Sequence, residues 1–367
     1  MKLRALVVDD TALFRRIVAD ALASLPDIEV VGSAPNGKIA LERIGTLTPD
    51  LVTLDMEMPE MGGLEVLDAL KRNQQECGVV VVSALTQKGG DLTMRALEKG
   101  AFDFITKPAG GDPQANLAAI RDALQPVVSA YRRRVEIRSI LKTSPEAASF
   151  PRPGMATPAL KVPLPAERPL EHGKADLVVV GVSTGGPNAL ASVLPRLPAS
   201  FPAPVLIVQH MPPLFTQSLA ASLASKCSLI VKEAAEGETV RPGTIYIAPG
   251  GRQMKAVAGS KGEMLIRIAD DPPENNCRPS VDYLFRSISI NFPGRASAVI
   301  MTGMGSDGVL GLRLLKRQGC RIIAQDEASS VVYGMPGEAV KAGVVDIISP
   351  LERIADEICR SVKGGTR

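Results

Sequence analysis

Five short apolar runs, Leu3–Val8, Ile28–Gly32, Leu51–Leu54, Val79–Val82 and Phe102–Ile105, alternate with amphipathic stretches near 12–24, 37–47, 63–73, 89–99 and 113–124. Apolar runs separated by helix-length segments cannot close as hairpins; each return needs a crossover. The pattern therefore predicts a five-stranded, parallel, flavodoxin-like sheet with helices on both faces. A second alternation follows residue 174. Asp176–Val182, Val205–His210, Ala298–Thr302 and Arg321–Gln325 read as strands, with helical patterns from Asn188 and Val309. Thr244–Ala248, Met254–Val257 and Met264–Ile268 suggest one further strand and a hairpin, so this half is expected to be a doubly wound, mainly parallel α/β domain with an antiparallel hairpin.

Between the two lies a different composition. Seven prolines fall between Pro145 and Pro169, the mark of an extended, semi-rigid tether. The expected division is 1–124, a linker over 125–173, and 174–367. Charge is unevenly spread: the first block carries 13 Lys/Arg and 18 Asp/Glu, the linker 8 and 4, the last block 21 and 17. Arg132-Arg133-Arg134 reads as a solvated helix end rather than a nucleic-acid contact, because no recognised binding module accompanies it and aromatic residues for stacking are scarce. No apolar run reaches the roughly 18–20 residues of a membrane span, and the N-terminus shows no signal-peptide pattern. Five scattered cysteines without C-x-x-C spacing suggest reduced thiols. The expectation is a cytoplasmic protein without membrane insertion.

In parallel sheets, functional groups collect at the carboxyl ends of strands. Those positions hold Asp9, Asp10, Asp55, Ser83 and Lys107 in the first half. The acidic pair alone is compatible with an ordinary strand-end turn. Three converging carboxylates repel one another, however, and an all-oxygen cluster suits Mg²⁺. Asp55 is a competent phosphoryl acceptor, with Lys107 as a point charge and Ser83 as a donor once phosphate is present. V-V-D-D, L-D-M-E-M-P-E-M-G-G, V-V-S-A and F-D-F-I-T-K-P resemble the receiver domain of two-component response regulators across all of 1–124. The resemblance implies Asp9, Asp10, Asp55 and the Glu57 backbone carbonyl as Mg²⁺ ligands. It makes Asp55 the phosphorylation site and Ser83 and Lys107 the phosphate contacts. Phe104 matches the aromatic that changes rotamer, and Lys107-Pro108 a peptide often cis in that family. Gly62 departs from the more usual Asp.

The second half opens its first strand into Gly181-Val182-Ser183-Thr184-Gly185-Gly186-Pro187. This G-x-S-x-G is compatible with a nucleophile elbow or with a glycine-rich phosphate cradle. His210 ends the next strand, and a right-handed crossover lays it beside the first, so Ser183 and His210 are expected to meet. The other histidine, His172, lies in the tether. Asp307, after a third strand, is a candidate to orient the imidazole; it is also a candidate helix N-cap, and Asp326 is a rival acid. The order Ser, His, Asp differs from that of α/β-hydrolases.

G-V-S-T-G-G-P, V-Q-H-M-P, C-R-P-S-V-D-Y-L-F, T-G-M-G-S-D-G and Q-D-E-A-S-S-V-V-Y-G-M-P resemble the catalytic domain of the chemotaxis protein-glutamate methylesterases. The resemblance implies Ser183 as nucleophile, His210 as base then acid, Asp307 as orienting carboxylate, and the Met304 N–H as an oxyanion donor; the elbow geometry itself offers the Thr184 N–H as a second. It implies hydrolysis of glutamate methyl esters and deamidation of glutamines on methyl-accepting receptors, with no cofactor for the hydrolysis. It also implies phosphorylation by a chemotaxis histidine kinase, recruitment to receptor arrays, and inhibition by the unphosphorylated receiver. Cys277 stands where relatives often have His. The alternatives are a response regulator with a nucleic-acid-binding output or with a non-enzymatic adaptor.

Overall fold

The computed structural model describes residues 2–108, 110, 112–143 and 173–363. In the first domain β1 (Leu3–Val8), β2 (Ile28–Ala34), β3 (Leu51–Asp55), β4 (Gly78–Ser83) and β5 (Asp103–Thr106) alternate with α1 (Ala12–Ala23), α2 (Gly37–Leu47), α3 (Gly63–Arg72), α4 (Gln87–Glu98) and α5 (Pro113–Thr143). The sheet is wholly parallel in the order β2-β1-β3-β4-β5. Every residue of β4, Gly-Val-Val-Val-Val-Ser, is buried, as a strand covered on both faces requires. The strand alternation thus gives the expected architecture.

One helix differs from expectation. α5 runs to Thr143, so the boundary expected after residue 124 falls inside it. Its continuation packs on the same domain: Tyr131 donates to the Asp50 carbonyl at 2.9 Å, and Arg132 pairs with Asp27 at 2.9 Å. Arg134 lies over the Phe102 ring. The basic triplet therefore sits along a helix with partners, not at a solvated helix end. Pro126 inside the helix conceals this continuity in the sequence. Most of the expected tether, with His172, lies outside the described residues.

The second domain adds β6 (Leu177–Val182), β7 (Val205–Gln209), β8 (Ile230–Glu233), β9 (Thr244–Ile247), β10 (Gln253–Ala258), β11 (Met264–Ala269), β12 (Ala296–Ile300), β13 (Arg321–Gln325) and β14 (Ile347–Ser349). Its helices are α6 (Gly186–Val193), α7 (Phe215–Ala224), α8 (Val281–Asn291), α9 (Val309–Arg317), α10 (Met335–Lys341) and α11 (Leu351–Lys363). Seven strands form a parallel sheet, β14-β13-β12-β6-β7-β9-β8, and β10–β11 form the antiparallel hairpin. The edge strands β8 and β14 have no counterpart among the sequence expectations; both are short, and short edges carry little periodicity. Because β12, β6 and β7 are neighbours in register, the loops that follow them share one rim.

The two domains pack together. α4 lies along α7, where a Cβ on Gly90 would come within 2.7 Å of Ser218 Oγ. Gln87 donates to Ser218 at 3.1 Å, Ser218 donates to Asp91 at 2.6 Å, and Lys226 pairs with Glu98 at 2.6 Å. Phe104 stacks on Phe215 with ring centroids 4.9 Å apart and planes 5° from parallel. Val331, Val332 and Met304 of the second domain join the apolar cluster built on Phe102, Ile105 and Leu124 of the first.

Candidate active site

β6 leaves the sheet at Val182, and Gly185 takes a left-handed φ of 76° immediately before α6. A side chain there would be strained and would also run into Val331. The sharp turn presents Ser183, whose backbone N–H donates to the Thr302 carbonyl at 3.0 Å. His210 follows β7, its N–H donating to the Val182 carbonyl at 3.2 Å. The imidazole Nε2 lies 2.8 Å from Asp307 Oδ2.

Asp307 does not cap its own helix α9, whose N-cap is Gly308. Its carboxylate instead receives donors from the start of α8: Val281 N–H at 2.7 Å, Asp282 N–H at 3.1 Å and Ser280 Oγ at 2.9 Å. Asn275 Nδ2 adds a fourth at 2.9 Å. Asp326, the rival acid, accepts from Ser329 instead. Burial pushes the Asp307 carboxyl up, but His210 and these donors outweigh it and hold it at about 2. Burial pulls His210 down, while the hydrogen bond with Asp307, and one with Cys277, lift it to about 9.

With Nε2 held by Asp307, Nδ1 is the nitrogen that gives up its proton when the ring becomes neutral, and it then carries the free lone pair. That nitrogen lies 3.7 Å from Cys277 Sγ. Among the described residues Ser183 makes no hydrogen bond to His210, a separation common in catalytic pairs without substrate. The backbone N–H groups of Thr184 and Met304 likewise have no partner among the described residues. Two unspent donors flanking a serine fit a developing oxyanion.

Sequence reasoning assigned no role to Gln209, 2% exposed and directly before His210. Its Nε2 donates to the Ser183 carbonyl at 3.0 Å and to the His210 carbonyl at 3.1 Å, tying both loops together. A Cβ on Gly186 would overlap Gln209 Oε1 at 1.9 Å. Asn275, Ser280 and Asp103 were also missed; Asp103, in β5, interacts across the domain boundary with the Thr184 side chain. Only the position of Gln209 within V-Q-H-M-P hinted at its importance.

On the first domain, Asp9, Asp10 and Asp55 bring carboxylate oxygens within 4.8 Å of one another. Asp10 and Asp55 face a cavity of about 150 Å³ shared with Glu57, Ser83 and Lys107. Lys107 Nζ bridges Asp9 Oδ2 at 2.7 Å and Asp55 Oδ2 at 2.8 Å. Burial raises the Asp55 pKa, against the pull of Lys107. Ser83 Oγ donates to the Gly89 carbonyl at 3.0 Å, away from Asp55. Three hard oxygen donors in an open cavity fit Mg²⁺. The Lys107–Pro108 peptide, expected to be cis, is trans, the lower-energy form; the one cis bond among the described residues is Arg278–Pro279.

Such a pairing is that of a response regulator whose output is an enzyme of the hydrolase type. Comparison with known proteins agrees on both halves: the chain matches the response regulator receiver domain over residues 5–121 and the CheB methylesterase over 178–358. It belongs to the protein-glutamate methylesterase/protein-glutamine glutaminase family. A relative of that name from Desulfotalea psychrophila is 53% identical over 98% of this chain and 99% of its own length. One from Halalkalibacterium halodurans is 43% identical over 99% of each. The crystal structure of the Thermotoga maritima CheB methylesterase catalytic domain aligns at 41% identity with a TM-score of 0.50, covering 51% of this chain and 98% of that one. These matches favour an enzymatic output over the nucleic-acid-binding or adaptor alternatives. No helix among the described residues is long and apolar enough to cross a membrane.

Proposed function

We propose that this chain hydrolyses glutamate γ-methyl esters, and deamidates glutamines, on methyl-accepting chemoreceptors, under control of Asp55 phosphorylation by a chemotaxis histidine kinase. The observation that carries the reading is the 2.8 Å His210–Asp307 pair on the rim that presents Ser183. Ser183 Oγ attacks the ester carbonyl carbon while His210 Nδ1 takes the hydroxyl proton. The resulting oxyanion is met by the Thr184 and Met304 N–H groups. Collapse breaks the bond to the methoxy group, and the imidazolium returns the proton so that methanol leaves. Water then attacks the acyl-enzyme, giving its proton to His210; the bond to Ser183 Oγ breaks as the imidazolium returns that proton to it, leaving the free glutamate carboxyl. Asp307 stays ionised and holds the ring.

At the first domain, Asp9, Asp10, Asp55 and the Glu57 carbonyl would hold Mg²⁺, which supplies neutralising charge for the phosphoryl group. Asp55 accepts the phosphoryl group, and Lys107 and Ser83 bind its oxygens. In the unphosphorylated chain the first domain lies over the catalytic rim and restricts access. The domain units we favour are a receiver carrying α5 at its end and a catalytic unit beginning near residue 174, working at receptor arrays on the cytoplasmic side.

The test is methanol release from methylated receptor membranes, with and without a small-molecule phosphodonor. Release should require Ser183 and rise with phosphorylation. Equal release by Ser183→Ala would refute the assignment, and release insensitive to Asp55→Asn would refute the switch.

A further inference from the structure

We propose that Cys277 Sγ and His210 Nδ1 form a binding site for a thiophilic divalent cation of the Zn²⁺ class, and that its occupancy stops hydrolysis. The inhibitory half rests on the reading of His210 as the base; the binding half does not.

The geometry is that of a ligand pair. A metal-bound histidine almost always gives its other ring N–H to a carboxylate, a backbone carbonyl or a water, which fixes the tautomer and strengthens the ligating nitrogen. His210 has this arrangement, with Nε2 on Asp307 at 2.8 Å. The nitrogen left to ligate is Nδ1, and Cys277 Sγ stands 3.7 Å from it. Zn–N and Zn–S bonds at a tetrahedral angle separate their ligand atoms by about 3.6 Å. His210, Cys277 and Asp307 offer ligand atoms that all lie within 4.8 Å of one another, so the carboxylate is near enough to act from the outer shell.

The pair is held in place by groups other than a metal. Cys277 exchanges backbone hydrogen bonds with Glu274, at 2.9 and 3.1 Å, across a turn in which Asn275 and Asn276 adopt left-handed φ. Gln253 Nε2 donates to the Cys277 carbonyl at 3.3 Å. Neither side chain need move far to ligate, so little ordering entropy opposes binding. A sulfur–nitrogen donor pair selects Zn²⁺ over the Mg²⁺ that suits the all-oxygen cluster of the first domain.

Binding displaces the thiol proton, and any proton on Nδ1, to solvent; no electrons are transferred. The cation then occupies the lone pair that must receive the Ser183 proton. Water is available for the remaining positions.

The full-length protein, reduced and freed of metal, is titrated with Co²⁺ as the optical probe. A thiolate-to-Co²⁺ charge-transfer band should appear, be displaced by Zn²⁺, and lose one equivalent of intensity in both Cys277→Ser and His210→Ala. A band of equal intensity in all three proteins, or no band, would overturn the site. In parallel, methanol release is measured against buffered Zn²⁺, each protein relative to its own metal-free rate. Half-inhibition of Cys277→Ser should need at least about tenfold more Zn²⁺ than wild type; equal sensitivity would overturn the inhibitory role. A wild type without metal-free activity would count against the proposed hydrolysis alone, and the optical titration would still decide the site.

Discussion

Replacing Phe104 by alanine should raise the methylesterase rate of the unphosphorylated chain. Phe104 is half-buried, and its ring stacks on the fully buried Phe215 of the other domain, 4.9 Å between centroids and 5° from parallel. A stacked aromatic pair contributes about 1 kcal/mol beyond area burial. Losing a half-buried ring forfeits roughly another 1 kcal/mol of apolar contact. Together, about 2 kcal/mol lowers the ratio of closed to open arrangements about 30-fold. Where the closed form dominates, the basal rate rises by up to that factor, capped at the rate of the fully open protein. The extra stimulation on phosphorylation shrinks in proportion. The assay is methanol release from methylated receptor membranes without phosphodonor, alongside a melting curve. A variant that melts like wild type and shows no rise in basal rate would refute a contact between Phe104 and Phe215 that restrains the enzyme.

Gly90→Ala tests the same boundary from α4: the new methyl group meets Ser218 Oγ at 2.7 Å, so Ser218 must give up Gln87 and Asp91 or the helices must part. Calorimetry should show a first domain at least as stable, since alanine favours a helix by up to about 1 kcal/mol over glycine, while basal methanol release increases. Gln209→Leu removes the amide joining the Ser183 and His210 carbonyls. Misplacement of that kind should lower kcat by about 10–100-fold, with KM nearly unchanged in steady-state kinetics. Asp103 supplies a pH signature. Burial lifts its carboxyl from 3.8 to about 6, only partly offset by the Phe104 N–H and Thr184. If the second domain supplies that burial, the closed form binds more protons, so closure tightens as pH falls from about 6 towards 3.8 and is flat above that window. The basal rate, taken relative to the phosphorylated rate, should therefore drop across that window in wild type and stay level in Asp103→Asn.

The elements legible in the sequence are those whose signal is local. β4 and β6 are continuous apolar runs between turn residues, and their burial on both faces follows from that pattern. Ser183, His210, Asp55 and Lys107 are legible because each stands within two residues of the end of a strand-forming run. Groups acting across the fold left no comparable mark. Asp307 has the sequence context of a helix N-cap, and only the start of α8 reveals why its charge is held in place. Gln209 lies in a strand, where a buried polar side chain carries no period; its role depends on a turn that comes 26 residues earlier. The continuation of α5 past residue 124 is masked by Pro126, and the basic triplet has the composition of a helix end. Its partners Asp27 and Asp50 stand directly before β2 and β3, far back along the chain, where no local pattern reports them.

The placement of the two sites makes phosphorylation and access one problem. β4 and β5 end at the acidic cluster with Ser83 and Lys107, and the same segment of chain supplies the domain contacts. Ser83 Oγ is bonded to the Gly89 carbonyl, and Gly90, one residue on, is where α4 meets Ser218. Phe104, three residues before Lys107, stacks on Phe215, while its neighbour Asp103 reaches Thr184 beside the serine. On the function proposed above, a phosphoryl group on Asp55 would compete for Ser83 with Gly89 and for Lys107 with Asp9. Both α4 and β5 are then perturbed within a few residues of where they hold the second domain. A side-chain hydrogen bond is worth roughly 0.5–1.5 kcal/mol net, rising to 1.5–3 kcal/mol where a charge takes part. Exchanging a neutral Ser83 bond for one to phosphate therefore provides energy of the same order as the Phe104 stack. No long relay is required: the switch and the contact it must loosen are adjacent ends of the same two strands.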